Sequence, residues 1–170
     1  MTLIRGGLVV DGTGAPARRA DVLVDGDRIA AIGAIPNPPP GAAAIDAAGA
    51  VVAPGFIDAH THDDVAALDG VNMAKLTQGV TTAVVGNCGF SLAPWTPSPA
   101  RPLPPAPLGI LGGPGRFAYP DFVSYLAALG GEGGRPAAVA LCGHSSLRAL
   151  RVEDLGRPAV EEGGVATQPA

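Results

Sequence analysis

Short apolar stretches separated by turn residues dominate the first fifty positions of the chain. Residues 3–10 (LIRGGLVV) and 20–32 (ADVLVDGDRIAAI) have the length and composition of strands, and Asp25-Gly26 divides the second stretch into two arms. A Pro-rich loop follows at 35–41. This pattern predicts a small antiparallel, β-sandwich-like unit.

A different pattern begins at residue 51, where apolar runs alternate with helix-like segments. The order is strand, helix, strand, helix, strand, in VVAPGFIDAHTH (51–62), VNMAKLTQ (71–78), VTTAVVGNCG (80–89), DFVSYLAAL (121–129) and AAVALCGH (137–144). Strands that are apolar at nearly every position are typical of parallel sheets covered on both faces. We predict an α/β fold with the first strands of a parallel barrel of the TIM type.

Three regions follow from these patterns. Residues 1–50 are predicted to form part of a small β domain, 51–150 the first βα units of the barrel, and 151–170 a disordered tail. The Pro-rich segment 93–115 is long for a loop, which is typical of a functional lid or a disordered linker. Residues 56–170 number 115, whereas an eight-stranded barrel takes about 250, so about three strands are expected.

Composition and charge exclude some classes of protein. The chain has 170 residues, 47% hydrophobic, and a net charge of -4 with no basic stripe, which argues against nucleic acid as a partner. Apolar runs are shorter than the roughly 20 residues that span a bilayer, and the amino terminus lacks the pattern of a signal peptide. We therefore expect a cytoplasmic protein without a membrane partner.

Two histidines and a cysteine stand where strands of the predicted sheet end. His60 and His62 are separated by one residue, so the period of two along a strand places both imidazoles on the same side. Cys88 ends the next predicted strand. Imidazole nitrogen and cysteine sulfur are ligands that zinc accepts, which makes these residues a candidate metal site.

Each of these residues also has a simpler interpretation. His60 and His62 could be surface or capping histidines, and Cys88 a small buried hydrophobic residue. Asp63 and Asp64 follow the pair directly and are candidates to orient the histidines through hydrogen bonds.

Two longer motifs carry a family resemblance. PGFIDAHTHDD (54–64) and TQGVTTAVVGNCGFSLAP (77–94) resemble the N-acyl-D-amino-acid deacylase (D-aminoacylase) branch of the amidohydrolase superfamily. GGLVVDGTG and VLVDGDRIAAIG near the amino terminus resemble the superfamily's first strands, which belong to a small β-sandwich beside the barrel. GNCG is the most specific match, because this branch uses a cysteine there as a zinc ligand.

The resemblance implies roles for individual residues. Cys88 is similar to the cysteine that holds the tightly bound zinc, and His60 and His62 to the pair at a second, weaker metal position. GHSSLR (143–148) resembles a segment after the third strand, so His144 is expected near the mouth of the site. Cys142 is expected in the core.

The same resemblance identifies groups that these 170 residues lack. Family members take two further histidines and a general acid-base carboxylate from later strands, whereas the last of the three histidines here is His144. We therefore expect the 170-residue chain to be inactive by itself.

The implied function is a zinc-dependent hydrolase that cleaves the linear amide of an N-acyl-D-amino acid into a carboxylate and a D-amino acid. One alternative is a cyclic amide hydrolase of the hydantoinase or dihydroorotase kind, against which the cysteine in GNCG argues. Another is a non-catalytic half-barrel that needs a complementary chain to supply the rest of the barrel.

Overall fold

The computed structural model divides the chain into two compact units, Met1–Pro54 and Gly55–Ala170. It describes residues 1–71, 73–130 and 136–156. Within those ranges, no helix has the length and apolar character needed to cross a membrane.

The first unit is a five-stranded sheet. Its strands are β1 (Thr2–Val9), β2 (Arg18–Asp25), β3 (Arg28–Gly33), β4 (Ala43–Asp46) and β5 (Val51–Val52). β1, β2 and β3 pair antiparallel, as predicted, but β4 and β5 both pair with β1 in parallel. The sheet is therefore mixed, because the segment after β3 returns the chain to the start of β1, where the Ala43 N–H donates to the Met1 carbonyl.

Residues 51–52 lie in this sheet rather than in the first barrel strand, where we predicted them. The N–H groups of Leu8 and Val10 donate to the carbonyls of Ala50 and Val52, both over 2.9 Å. Pro54, which has no N–H to donate, follows and separates β5 from the next strand. An apolar run alone could not reveal that it is shared between two sheets.

A β-bulge in β1 is stabilised by an aspartate from β2. The register shifts between Ile4 and Gly7, and the Gly6 N–H donates to Asp21 Oδ1 over 2.8 Å. Asp21 Oδ2 accepts the Ile35 N–H over 3.2 Å. These two backbone hydrogen bonds hold the pKa of Asp21 below its usual value, and the bond from Gly6 has the larger effect.

Asp21→Asn is expected to destabilise the chain more at pH 7 than at about pH 3. A carboxyl whose pKa is lowered on folding stabilises the native state above its unfolded pKa of about 3.9, and that contribution is lost as pH falls through the lowered value. Urea unfolding of both proteins at the two pH values measures the difference. Asp27→Asn, at an exposed turn position, is the control, and an equal Asp21→Asn effect at both pH values would contradict the expectation.

The second unit contains the predicted parallel sheet. β6 (Phe56–Asp58), β7 (Val80–Val85) and β8 (Ala137–Ala140) lie in the order β6-β7-β8, and both pairings are parallel. Their carboxyl ends therefore meet at one edge of the sheet.

Four helices accompany this sheet in the described ranges: α1 (Asp64–Asp69), α2 (Met73–Leu76), α3 (Phe122–Leu129) and α4 (His144–Arg151). α2 lies within the helix that we predicted over 71–78. α1 was not predicted; it ends at Asp69, and the N–H of the following Gly70 donates to the Ala66 carbonyl. α3 begins where predicted, and Asp121 caps it by accepting the Ser124 N–H over 2.7 Å.

The Pro-rich segment 93–115 places four apolar side chains in the core, so it is not a disordered linker, and its role as a lid stays a prediction. Single 3₁₀ turns form at Leu108–Leu111 and Pro114–Arg116. Its apolar side chains and those that flank it form one cluster with α3 and β7, made of Ala67, Val85, Leu92, Ala93, Trp95, Leu108, Leu111, Phe117, Tyr125, Leu129 and Ala149. Proline excluded regular helix here without preventing burial.

The predicted tail begins within ordered structure. Arg151 ends α4, and the Arg101 guanidinium donates to the carbonyls of Ala149, Val152 and Glu153, which satisfies carbonyl groups at the helix end. The remainder of that prediction, residues 157–170, lies outside the described residues.

Candidate metal centre

His60 and His62 lie in the segment that directly follows β6. The Thr61 N–H donates to the Val84 carbonyl over 3.2 Å, which continues the contact with β7 beyond the end of β6. Thr61 is buried, whereas His60 and His62 are exposed. The alternation predicted from the sequence therefore holds, with both imidazoles on one side of the segment and Thr61 on the other.

Cys88 lies in a tight turn after β7. Asn87–Gly89 forms a single 3₁₀ turn in which Cys88 has φ 55° and ψ 19°. Among the described residues it is the only one other than glycine with positive φ. Such a conformation costs about 1 to 3 kcal/mol and is concentrated at functional sites, where the surrounding structure imposes it.

The three side chains converge. One ligand atom from each of His60, His62 and Cys88 lies within 4.8 Å of the others. His60 Nε2 is 3.2 Å from Cys88 Sγ. Zinc bonds of about 2.0 to 2.3 Å place tetrahedral donors about 3.4 to 3.6 Å apart, so small side-chain rotations would complete the geometry. Two imidazoles and one sulfur fit zinc in both distance and chemistry.

Asn87 joins the histidine segment to the cysteine turn. Its side-chain amide donates to the carbonyls of Thr61 and Val84, over 3.2 and 2.6 Å. Because one amide group binds both segments, the separation between the histidines and Cys88 depends on it.

Asp64 supports the same turn from inside the unit. Its Oδ1 accepts the Gly86 N–H over 3.1 Å and the Tyr125 hydroxyl over 3.3 Å. The side chain is fully buried, and this burial raises the pKa of Asp64 despite both hydrogen bonds. Asp64 was predicted to orient a histidine, but these two hydrogen bonds connect it to the cysteine turn and to α3.

Lys75 of α2 binds three side chains of the histidine segment. Its ammonium donates to Asp58 Oδ2 over 2.5 Å and to Thr61 Oγ1 over 2.7 Å, and it forms an ion pair with Asp63. Burial alone would lower the pKa of Lys75, but the bonds to Asp58 and Asp63 raise it. The hydrogen bond from Lys75 is the main cause that lowers the pKa of Asp58.

Comparison with known proteins identifies the family. Residues 43–166 match the model of the amidohydrolase family. The chain belongs to the amidohydrolase family.

Curated relatives place this amidohydrolase in the deacylase branch that its motifs resemble, which confirms the resemblance. A D-aminoacylase from Alcaligenes xylosoxydans xylosoxydans is 48% identical over 164 residues, which cover 94% of this chain and 32% of the relative. An N-acyl-D-aspartate deacylase from the same organism is 43% identical over 160 residues, which cover 94% and 31%. The chain thus spans about a third of the length of these relatives.

Solved structures agree. A crystal structure of D-aminoacylase matches with a TM-score of 0.81 and 48% identity, covering 95% of this chain and 33% of that one. N-acyl-D-glutamate deacylase from Bordetella bronchiseptica, solved with zinc and a phosphonate that mimics the tetrahedral intermediate, matches with a TM-score of 0.76 and 40% identity over the same shares. The described fold is therefore that of the amidohydrolases.

Two residues of this amidohydrolase lie outside the donor group. His144 is exposed at the first position of α4 and is absent from the group of converging ligand atoms among the described residues. Cys142 is exposed and follows β8, which ends at Ala140, so our expectation that it lies in the core is wrong. The strand is shorter than its apolar sequence indicates.

The segment after β8 nevertheless packs directly on the cysteine turn. A Cβ added to Gly143 would lie 2.4 Å from the Gly89 carbonyl oxygen, so only glycine allows this approach. Buried Ser146 accepts the Ser91 N–H over 2.9 Å and donates to the Ser91 carbonyl over 2.8 Å. The GHSS sequence thus holds the cysteine turn in place.

Three residues that support the candidate centre escaped the sequence analysis. Lys75 and Asn87 act through hydrogen bonds to distant segments, and Phe90 stacks on the His62 ring with a centroid separation of 5.6 Å and an angle of 24°. The position of Asn87 and Phe90 beside Cys88 in GNCGF is the one sequence signal that could have identified them.

Proposed function

We propose that this chain forms the first part of a zinc-dependent amidohydrolase that cleaves the linear amide of N-acyl-D-amino acids. The products are a carboxylate and a D-amino acid. The observation that carries the proposal is the convergence of His60, His62 and Cys88 at neighbouring strand ends. The substrate class is supported by the similarity of the chain to a D-aminoacylase and to an N-acyl-D-aspartate deacylase.

The residues described here would hold the metal and keep its surroundings ordered. When bound, zinc supplies Lewis-acid chemistry for the attack of water on an amide carbonyl. The two imidazoles and the cysteine sulfur would bind it, and Asn87 would keep the strand ends in register. We propose His60, His62 and Cys88 as metal ligands and assign none of them as the acid or base.

We also propose that the parallel sheet is one arc of a barrel. Phe56, Ile57 and Val139 leave large parts of their apolar side chains exposed on this sheet, between 50% and 66%. Additional strands would cover them, either in the same polypeptide or in a complementary chain.

A chimera tests the function. This chain would replace the matching third of the Alcaligenes D-aminoacylase, and release of free D-methionine from N-acetyl-D-methionine would be followed with zinc present. We expect turnover by the chimera, and none from the 170-residue chain alone above its Cys88→Ala variant. The resemblance to the family assigns the general acid-base carboxylate to a later strand, and such a group is worth about 10² to 10⁴ in rate.

The assay separates the alternatives by substrate. A folded, zinc-loaded chimera that is inactive on N-acyl-D-amino acids while the parent enzyme is active would contradict the proposal. Cleavage of a dihydropyrimidine ring instead would favour the cyclic amide hydrolase. Activity of the 170-residue chain on co-expression with the remainder of the D-aminoacylase would show that the barrel can be assembled from two chains.

A further inference from the structure

We propose that Lys75 is a positioning residue for the metal centre, holding His60 and His62 in place through the backbone segment that carries them. This inference rests on the proposed metal function of the two histidines. It concerns a side chain whose hydrogen bonds and ion pairs go to Asp58, Thr61 and Asp63 of that segment.

The three acceptors of Lys75 lie before, between and after the two histidines in the sequence. Asp58 precedes His60 by two residues, Thr61 lies between the histidines, and Asp63 follows His62. A cation bound to the Thr61 hydroxyl and to both flanking carboxylates therefore restrains the segment at its middle and at both ends.

One of these contacts reaches the backbone of a ligand directly. Asp58 Oδ2 accepts a hydrogen bond from Lys75, and Asp58 Oδ1 accepts the His60 N–H over 3.2 Å. The Asp58 carboxylate thus connects the ammonium to the His60 peptide group. A rotation of this carboxylate after loss of Lys75 would release the His60 N–H.

The chemistry favours an ammonium at this position. Lysine has three N–H donors on one nitrogen, which match the three acceptors from Asp58, Thr61 and Asp63. Its side chain is 26% exposed, and the two carboxylates are 29% and 30% exposed. Without the cation two like charges would flank the histidines, where either carboxylate could turn towards an incoming metal.

Lys75 itself is held by the fold. Helix α2 packs against β7, and the residue that ends the α2 to β7 connection, Gly79, accepts the Phe56 N–H through its carbonyl over 2.8 Å. The segment that follows Lys75 is therefore hydrogen-bonded to the first residue of β6, the strand that leads to the histidines. Ordinary surface ion pairs contribute little to the free energy of unfolding, so the expected effect of Lys75 lies in the geometry of the segment rather than in overall stability.

Lys75→Met in the full chain tests the inference, because methionine keeps most of the aliphatic stem and removes the ammonium. We expect zinc affinity, measured by competition with a chromogenic chelator, to fall about 10-fold or more, as for residues that orient metal ligands. The cobalt-substituted protein should show altered ligand-field bands. Lys75→Arg should recover only part of the affinity, because a planar guanidinium does not match three convergent acceptors.

Two further variants make the result interpretable. Arg116→Met removes another ion pair of the same unit, Arg116 to Asp69 at 2.7 Å, and should leave zinc affinity unchanged. Asp63→Asn keeps the shape of its side chain while removing one charge, and it serves if Lys75→Met fails to fold. Its zinc affinity should also fall, by less than that of Lys75→Met.

The outcomes separate this inference from the function. The role of Lys75, but not the metal centre, would be overturned if folded Lys75→Met bound zinc within about twofold of the wild-type affinity. The same result in Asp63→Asn would overturn it where that variant replaces Lys75→Met. No zinc binding by the wild-type chain would overturn the metal centre and this inference with it. A zinc-loaded but inactive chimera, combined with weakened binding in Lys75→Met, would overturn the deacylase function and support the inference.

Discussion

Replacing Cys88 by alanine is expected to weaken zinc binding sharply while leaving the fold intact. Loss of a direct ligand should weaken zinc affinity by more than the roughly 10 to 100-fold that follows loss of an orienting residue. The Cys88 side chain is exposed, so the free energy of unfolding should change by no more than about 0.5 kcal/mol. In the cobalt-substituted protein the sulfur-to-metal charge-transfer band should disappear.

The strained backbone at Cys88 allows a sharper version of the same experiment. At φ 55°, a residue with a Cβ is strained and glycine is not. Cys88→Gly should therefore be more stable than Cys88→Ala, by up to about 1 kcal/mol, because the entropy that glycine loses on folding offsets part of the strain of about 1 to 2 kcal/mol that it relieves. Both variants should bind zinc more weakly than the wild type. If Cys88→Gly increases the free energy of unfolding while it weakens zinc binding, the cysteine is present at this position for its chemistry rather than for stability.

Cys142→Ala is the matched control, because it removes the other free, exposed cysteine of the chain and leaves the donor group complete. It should bind zinc with wild-type affinity and keep the charge-transfer band. Zinc affinity in Cys88→Ala equal to that in Cys142→Ala would show that Cys88 is not a ligand.

The convergence of His60, His62 and Cys88 could be predicted because it depends on local rules. The period of two along a strand places His60 and His62 on one side, and parallel pairing brings the ends of β6 and β7 to one edge. Cys88 follows from the same order of strands. No long-range contact had to be known.

The supporting residues could not be predicted in this way. Lys75 binds Thr61 across 14 positions of sequence, and Asn87 binds the Thr61 carbonyl across 26. Such contacts exist only after α2 and β7 have packed, so neither periodicity nor spacing indicates them. Trp95 was missed as a core residue for a related reason, since the prolines around it predict irregular backbone and contain no information on burial.

Strand ends were the other source of error, at both ends of the parallel sheet. Val51 and Val52 pair with β1, and Cys142 lies beyond β8, although both belong to apolar runs. The length of an apolar run limits how many residues are buried or paired, but the hydrogen-bond partners decide where a strand begins and ends.

Gly86→Ala is expected to lose both stability and zinc binding. Gly86 has φ 78° and lies where a Cβ would be 2.0 Å from the Leu141 carbonyl oxygen. That carbonyl belongs to a residue held by its own N–H, which donates to the Val85 carbonyl over 3.0 Å. The positive φ costs about 1 to 2 kcal/mol for alanine and the clash about 1 to 3 more, so urea unfolding should show a loss of about 3 kcal/mol.

The loss of zinc binding follows from what Gly86 supports. Its N–H donates to Asp64 Oδ1, and Cys88 is only two residues away. A shift that relieves the clash would displace the cysteine sulfur from His60 Nε2, now 3.2 Å away. Gly115→Ala is the control, because Gly115 lacks positive φ and an added Cβ would meet no atom within 4 Å. Cys88→Ala should lose zinc affinity but keep its stability, whereas Gly86→Ala should lose zinc affinity and stability. Wild-type zinc affinity in Gly86→Ala would show that the turn does not position the ligand.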